Sequence, residues 1–255
     1  MTLILIRLSG LFFNGVGAHS FGLNKCSRKI VRFSNAAKEV LNYILRVFGK
    51  MYDAMKKTIV YIHGKNGKAS EADQFKPLYP DYNVVGFDYK SAAPWEAEEE
   101  FPSFFDSFFG KSEGITLIAN SIGTYYSMCS LSKKEIDKAF FISPVVDMEV
   151  LICKMMAWSG IPEEELREKR EIPTRFGETI SWEYLSFVRA HPIRWDVPTE
   201  ILYGENDNLI SRNEIETFAE HYGANLTVYE NGEHWFHTPE QTAFLNSWLS
   251  CLLGR

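Results

Sequence analysis

LIANSIGT, residues 117–124, places a serine between an apolar run and a stretch with helical character. The run that ends at Ala119 predicts a strand, and residues 121–131 predict a helix. A sharp turn between the two would raise the Oγ of Ser121 above the sheet and aim backbone N–H groups at it. Such a tight turn needs small neighbours, and Ala119 and Gly123 fill those places. Ser121 is therefore a candidate nucleophile, although serine is also a common N-cap of an ordinary helix.

Short apolar segments alternate with longer helical segments from Lys57 onward. The predicted strands are residues 58–62, 82–88, 114–119, 139–143, 199–203 and 226–229. The predicted helices are residues 94–109, 121–131, 213–222 and 239–253. This alternation is typical of βαβ units and of a parallel sheet covered on both faces. The predicted fold class is α/β, with a mostly parallel sheet of about six strands and helices on both faces.

Residues 146–196 interrupt this alternation, because they carry many helical signals and no clear strand. About 50 residues is longer than an ordinary crossover between two strands. We interpret the segment as a helical cap inserted over one end of the sheet. Since the organised pattern begins at Met55, the predicted organisation is an N-terminal extension of unassigned role, residues 1–54, and a domain of residues 55–255 that carries the cap.

The N-terminal extension leaves several interpretations open. Residues 1–22 are apolar, but no basic residue precedes the run and Arg7 interrupts it, which disfavours a secretory signal. The run is also too short for a membrane span. Residues 35–48 carry apolar groups at helical spacing and predict a helix with one apolar stripe. This helix would dock on the body, mediate self-association or touch a membrane surface, or else the first 50 residues are an artefact of start-site choice.

Composition excludes some classes of function. The 255-residue chain has a net charge of −6, which disfavours nucleic acid as a partner. Its cysteines are widely spaced and show no metal-ligand pattern: Cys26, Cys129, Cys153 and Cys251. They predict reduced thiols in a cytoplasmic protein without a disulfide framework, and we expect no metal.

Chemically distinctive residues follow several of the predicted strands. In an open parallel sheet, ligands bind beyond the carboxyl ends of the strands. Ser121, Asp207 and His234 occur in that chain order, each at the loop end of a strand. A serine hydroxyl needs a base to take its proton, and a carboxylate must then orient the histidine and stabilise its charged form. His234 is the candidate base, and Asp207 is the candidate acid.

A tetrahedral oxyanion would need hydrogen-bond donors that are already in place. The N–H of Ile122, directly after the serine, is one candidate. The other lies in the turn after the first strand, which contains Gly64 and Lys65. His63, which opens that turn, is interpreted as a structural residue that orients it.

Other residues remain alternatives or weaker candidates. Asp147 follows the strand at 139–143 and is the alternative acid. His237 lies three residues after His234, could share a helical face with it, and is the alternative base or a polar partner near the site. The candidate substrate-binding residues are Asn120, Trp158, Trp182 and His237. For Asn120 a polar helix start is the alternative explanation, and cap packing equally explains Trp158, Trp182 and Trp195.

These motifs together resemble the α/β-hydrolase fold superfamily over roughly residues 57–253. The matching pieces are the His63-Gly64 turn, the elbow at 119–123, the acid turn at 204–207 and the Gly232-Glu-His234 segment. The resemblance implies a Ser121–Asp207–His234 triad, no metal or cofactor, and a cap that shapes substrate choice. Ala119 stands where the family's G-x-S-x-G has its first glycine. The first two strands common in the family have no clear counterpart before Lys57.

The predicted function is that of a serine hydrolase that cleaves a small or medium carboxylic ester through an acyl-enzyme intermediate. Thioester, amide and C–C bond hydrolysis remain open alternatives. So do a lipid hydrolase that contacts a membrane through residues 1–50 and a non-catalytic ligand sensor or interaction module with this fold. The sequence does not predict an oligomeric state.

Overall fold

The computed structural model describes residues 43, 46, 56–108 and 111–253. The chain divides into two compact units, Met1–Arg46 and Val47–Arg255, and the sheet with its covering helices belongs to the second. The predicted extension, apart from residues 43 and 46, and the predicted boundary at 54/55 lie outside the described residues.

A parallel sheet of six strands forms the centre of the second unit, in the order β2-β1-β3-β4-β7-β8. Its strands are β1 Thr58–Ile62, β2 Asn83–Phe87, β3 Ile115–Asn120, β4 Lys138–Ile142, β7 Thr199–Gly204 and β8 Asn225–Tyr229. Every neighbouring pair is parallel. The predicted α/β class is thus confirmed, and each of the six predicted strands forms.

Helices cover both faces of this sheet. Their bounds are α1 Pro94–Asp106, α2 Ile122–Leu131, α3 Met148–Ser159, α4 Glu163–Lys169, α5 Trp182–Ala190, α6 Arg212–Tyr222 and α7 Pro239–Leu253, with a 3₁₀ helix at Ala69–Leu78. Side chains of a strand point alternately to opposite faces, so β3 sends Leu117 to one face and Ile118 to the other. Phe101 of α1 packs in the first core, and Trp248 of α7 packs in the second.

The segment between β4 and β7 contains helices α3, α4 and α5 and a small antiparallel hairpin. The hairpin strands are β5 Glu171–Pro173 and β6 Thr179–Ser181. The expectation of no strand in residues 146–196 is therefore wrong. These strands are only three residues long, and Glu171 and Thr179 are exposed, so they produce no apolar periodicity. Trp95 of α1 contacts Tyr184 of α5, with 5.8 Å between ring centroids, and so joins the segment to the body.

Candidate active site

Ser121 lies in a strained turn between β3 and α2. Its backbone has φ 51° and ψ −124°, a region that non-glycine residues rarely occupy and that costs about 1–3 kcal/mol. The neighbours of the turn leave no room for side chains. A Cβ on Gly123 would lie 2.5 Å from the carbonyl oxygen of His63, and one on Gly64 would lie 3.1 Å from the Cβ of Ser121. The turn therefore presents the hydroxyl at the carboxyl edge of the sheet.

A chain of short hydrogen bonds runs from Ser121 through His234 to Asp207. The Oγ of Ser121 lies 2.8 Å from Nε2 of His234, and Nδ1 of His234 lies 2.6 Å from Oδ2 of Asp207. The second carboxylate oxygen accepts the backbone N–H groups of Leu209 and Ile210 at 2.8 and 3.0 Å. The Asp207 side chain is fully buried, while that of His234 is 15% exposed. The structure thus brings together the three residues that were predicted to form the triad.

Two glycines allow the turn that carries Asp207 to touch the turn that carries His234. A Cβ on Gly204 would lie 2.5 Å from the carbonyl carbon of Gly232, and a Cβ on Gly232 would lie 2.7 Å from the Cα of Gly204. The backbones also bond directly, since the N–H of Asn206 donates to the carbonyl of Gly232 at 2.8 Å. The Asp207–His234 hydrogen bond is therefore supported by backbone contact between the two turns.

The turn after β1 lies beside Ser121. Gly64 and Lys65, like Ile122, line the same cavity as the serine. His63 is buried at the start of the turn, with Nδ1 2.8 Å from the carbonyl oxygen of Gly64. Its ring stacks on Tyr89, with 4.2 Å between centroids, and the Tyr89 hydroxyl donates to the His63 carbonyl at 2.9 Å. These contacts hold His63 in place and fix the direction of the turn.

The alternative acid and base of the sequence analysis lie apart from the hydrogen-bonded chain. Asp147 is exposed and caps α3, where its Oδ1 accepts the N–H of Val150 at 2.9 Å. His237 lies in an irregular segment, stacked on Trp235 at 4.7 Å between centroids. The expectation that His234 and His237 share a helical face is therefore wrong, because the helix begins only at Pro239.

A cavity of about 680 Å³ opens over Ser121. Helix α3 contributes an apolar wall at helical spacing: Met148, Leu151, Ile152 and Met155. Trp158, at the end of the same helix, also lines the cavity. Asn120, Trp182 and His237 are not among the described residues that line it, and Trp195 is buried in the core with its indole N–H donating to Thr199 at 2.8 Å.

Tyrosines at the cavity were not singled out from the sequence. Tyr126 on α2 and Tyr184 on α5 both line it. Burial raises the pKa of Tyr126 to about 12, and burial followed by the neighbouring Tyr126 raises the pKa of Tyr184 well above its usual value. Both phenols are therefore neutral at physiological pH. Tyr126 lies five residues after Ser121, on the helix that begins at the site. This closeness to the candidate nucleophile is the feature of the sequence that could have marked Tyr126 as a cavity residue.

The described ranges contain no cluster of three His, Cys, Asp or Glu side chains suited to a metal ion. Within those ranges Cys129, Cys153 and Cys251 are free thiols, and Cys26 lies outside them. No helix in the described part of the chain is long and apolar enough to cross a membrane.

Solved structures with the same architecture include alpha/beta hydrolase domain-containing protein 10 from mouse. It superimposes with a TM-score of 0.62 at 16% identity, over 77% of this chain and 89% of that one. Est1E from Butyrivibrio proteoclasticus gives a TM-score of 0.62 at 13% identity, over 78% and 87% of the two chains. The chain has the α/β-hydrolase fold. No protein-family model matches it.

One curated relative is a Mycoplasma genitalium protein provisionally named esterase/lipase 3. It is 25% identical over 158 residues, which cover 57% of this chain and 55% of that protein's own length. The match therefore spans about half of the relative.

Within this α/β-hydrolase fold, the variant Gly123→Val should disturb the serine turn and the turn after β1 together. The new side chain would overlap the His63 carbonyl, so we expect the free energy of unfolding to fall by about 1–3 kcal/mol. Misplaced groups at a reacting centre cost about 10²-fold in rate, so any reaction carried out at Ser121 should slow by at least that factor. Urea unfolding and steady-state kinetics measure the two effects.

Gly223→Ala is the matched control for this variant. Gly223 follows the end of α6 with a positive φ of +65°, and nothing lies within 4 Å of its would-be Cβ. Its replacement should cost stability, about 1 kcal/mol, without changing the rate per folded molecule. Wild-type kinetics for folded Gly123→Val would show that the close approach at this turn is dispensable.

Proposed function

We propose that this chain is a serine hydrolase that cleaves carboxylic esters. The observation that carries the proposal is the hydrogen-bonded chain from Ser121 through His234 to a buried Asp207. In the proposed reaction Nε2 of His234 takes the hydroxyl proton while Oγ of Ser121 attacks the ester carbonyl. Asp207 orients the imidazole and stabilises the imidazolium. His234 then protonates the leaving alkoxide, which departs as an alcohol, and activates the water that hydrolyses the acyl-enzyme.

The proposed oxyanion donors are the backbone N–H of Ile122 and an N–H of the Gly64–Lys65 turn. Preorganised backbone donors of this kind are worth about 10²–10³-fold each in rate. Two features support the assignment. Both segments line the cavity beside Ser121, and His63 and Tyr89 fix the turn from behind.

An apolar acyl group of small or medium length is the proposed substrate feature. The wall of α3 offers aliphatic and thioether groups, and methionine side chains adapt to ligands of different shape. The similar mouse protein is named as an alpha/beta hydrolase domain-containing protein, the Mycoplasma genitalium relative is named as an esterase/lipase, and a structure of Est1E holds ferulic acid. Thioesters and amides pass through the same acyl-enzyme chemistry and are the alternative substrates.

We also propose that residues 146–196 serve as a cap over the site. The segment supplies most of the apolar side chains that line the cavity, which supports a role in substrate choice. A cytoplasmic location and a domain of residues 55–255 remain predictions from the sequence.

The direct test is covalent labelling of the wild-type protein with diisopropyl fluorophosphate, read by intact mass and peptide mapping. The expected result is one adduct, on the peptide that contains Ser121, with labelling slowed strongly in His234→Ala. Ser130→Ala is the matched control, because Ser130 lies on α2 and donates to the Tyr126 carbonyl at 2.6 Å rather than to a histidine. Folded wild-type protein that gains no adduct would overturn the hydrolase proposal and favour a ligand sensor.

A further inference from the structure

An ion pair joins the turn after β1 to the tip of the β5–β6 hairpin. The ammonium of Lys65 bonds the carboxylate of Glu178, although the two residues are 113 positions apart in the chain. Both side chains line the cavity. The pair therefore connects the inserted segment to the turn that holds a proposed oxyanion donor.

The hairpin end of this pair is held by its own turn. The Thr174 hydroxyl donates to the Glu178 carbonyl at 2.8 Å and accepts the Glu178 N–H at 3.2 Å. Arg175 also donates to the carbonyl of Trp158 at 3.3 Å, which ties the tip to the end of α3. The carboxylate of Glu178 therefore projects from a closed turn with a fixed base.

The other end of the pair is a tight loop. The N–H of Gly67 donates to the carbonyl of Gly64 at 3.1 Å, and Asn66 has a positive φ of 59°. In the described part of the chain, Glu178 is the only acid paired with Lys65. Because the loop is short, the ion pair that holds the Lys65 side chain also restricts the backbone of Lys65. The N–H of that backbone is a proposed donor.

We propose that Glu178 is a positioning residue for the hydrolytic reaction: through Lys65 it holds the oxyanion turn in place when the hairpin covers the cavity. The inference rests on the proposed function and adds a residue to it. Substrates that keep the hairpin tip away from Lys65 lose this support and are turned over more slowly. Lys65 and Glu178 are partly exposed, with side-chain exposures of 55% and 32%, so the effect of the pair is modest.

Glu178→Gln tests the inference, because it preserves size and removes the charge. With p-nitrophenyl butyrate we expect kcat to fall about two- to fivefold with KM nearly unchanged, since oxyanion donors act mainly in the transition state. Lys65→Gln added to Glu178→Gln should cause little further loss, because the two side chains act through one ion pair and their effects should not add. Glu165→Gln is the matched control, because it removes the partner of Lys169 on α4 of the same segment.

Hydrogen exchange of peptides from residues 171–181 supplies a readout that does not depend on activity. We expect faster exchange in Glu178→Gln and wild-type exchange in Glu165→Gln. If the wild-type protein is active and Glu178→Gln has the same kcat, the positioning role is overturned, whatever the exchange rate. Equal losses in Glu178→Gln and Glu165→Gln overturn it as well. Wild-type protein that neither turns over esters nor gains the fluorophosphate adduct overturns the proposed function instead.

Discussion

Ser121→Ala should abolish the proposed ester hydrolysis, with a fall in kcat of about 10⁶-fold, the size of loss that removal of the nucleophile causes in known serine hydrolases. The alanine keeps the Cβ and loses only the hydroxyl that lies 2.8 Å from Nε2 of His234. No acyl-enzyme can then form, and the remaining rate is that of water attack assisted by the oxyanion donors. Steady-state assays with p-nitrophenyl butyrate measure the fall in kcat. Intact mass of enzyme quenched during turnover shows whether an acyl adduct is present.

Ser130→Ala again provides the comparison, and its kcat should stay within about twofold of the wild-type value, as expected for a site outside the chemistry. Folded Ser121→Ala that retains even a tenth of the wild-type rate would exclude Ser121 as the nucleophile. Circular dichroism establishes that both variants are folded.

Asp207→Asn should lower kcat by about 10⁴-fold while leaving the fold intact. The asparagine carbonyl can still accept the N–H groups of Leu209 and Ile210, so the turn keeps its shape. The NH₂ of the asparagine would then donate a hydrogen bond to Nδ1 of His234. The imidazole would carry its proton on Nε2 and could no longer accept the proton of Ser121. We expect the rate of labelling with diisopropyl fluorophosphate to fall in parallel with kcat, because both reactions need the base.

Asp147→Asn is the matched control, because Asp147 was the alternative acid in the sequence. It caps α3, and asparagine caps a helix about as well as aspartate. We expect its kcat to change less than twofold, consistent with the small effect of a cap-conserving substitution. A larger loss in Asp147→Asn than in Asp207→Asn would reverse the assignment of the acid.

The strands of the sheet could be predicted because buried parallel strands are nearly continuous apolar runs. Phe140 and Phe141, adjacent in β4, are both fully buried on opposite faces. A short apolar run of this kind favours a strand that is buried on both faces. The β5–β6 hairpin could not be predicted, because its pairing depends on the turn at 174–178 rather than on apolar spacing.

The candidate site was predictable to the extent that its residues follow strands. Ser121, Asp207 and His234 each have that position in the sequence, and topology brings them to one edge of the sheet. The partnership of Lys65 with Glu178 depends on how the inserted segment folds back, for which local sequence carries no signal. The contact between the turns at 204–207 and 230–234 likewise joins backbone segments that are far apart in the sequence, and local sequence does not reveal it.

The positions of Ser121, Asp207 and His234 on the sheet have a consequence for when the site forms during folding. The proposed nucleophile follows β3, whereas the proposed base and acid ride on the β7 and β8 side, and β4 alone bridges the two groups. The pairing of β4 with β7 must close across the whole inserted segment, and such long-range contacts form slowly. Because the proposed nucleophile and base lie on opposite sides of this pairing, we expect a refolding chain to stay unreactive toward esters and fluorophosphates until β4 and β7 have paired. Reactivity at Ser121 would then serve as a chemical clock for the completion of the sheet.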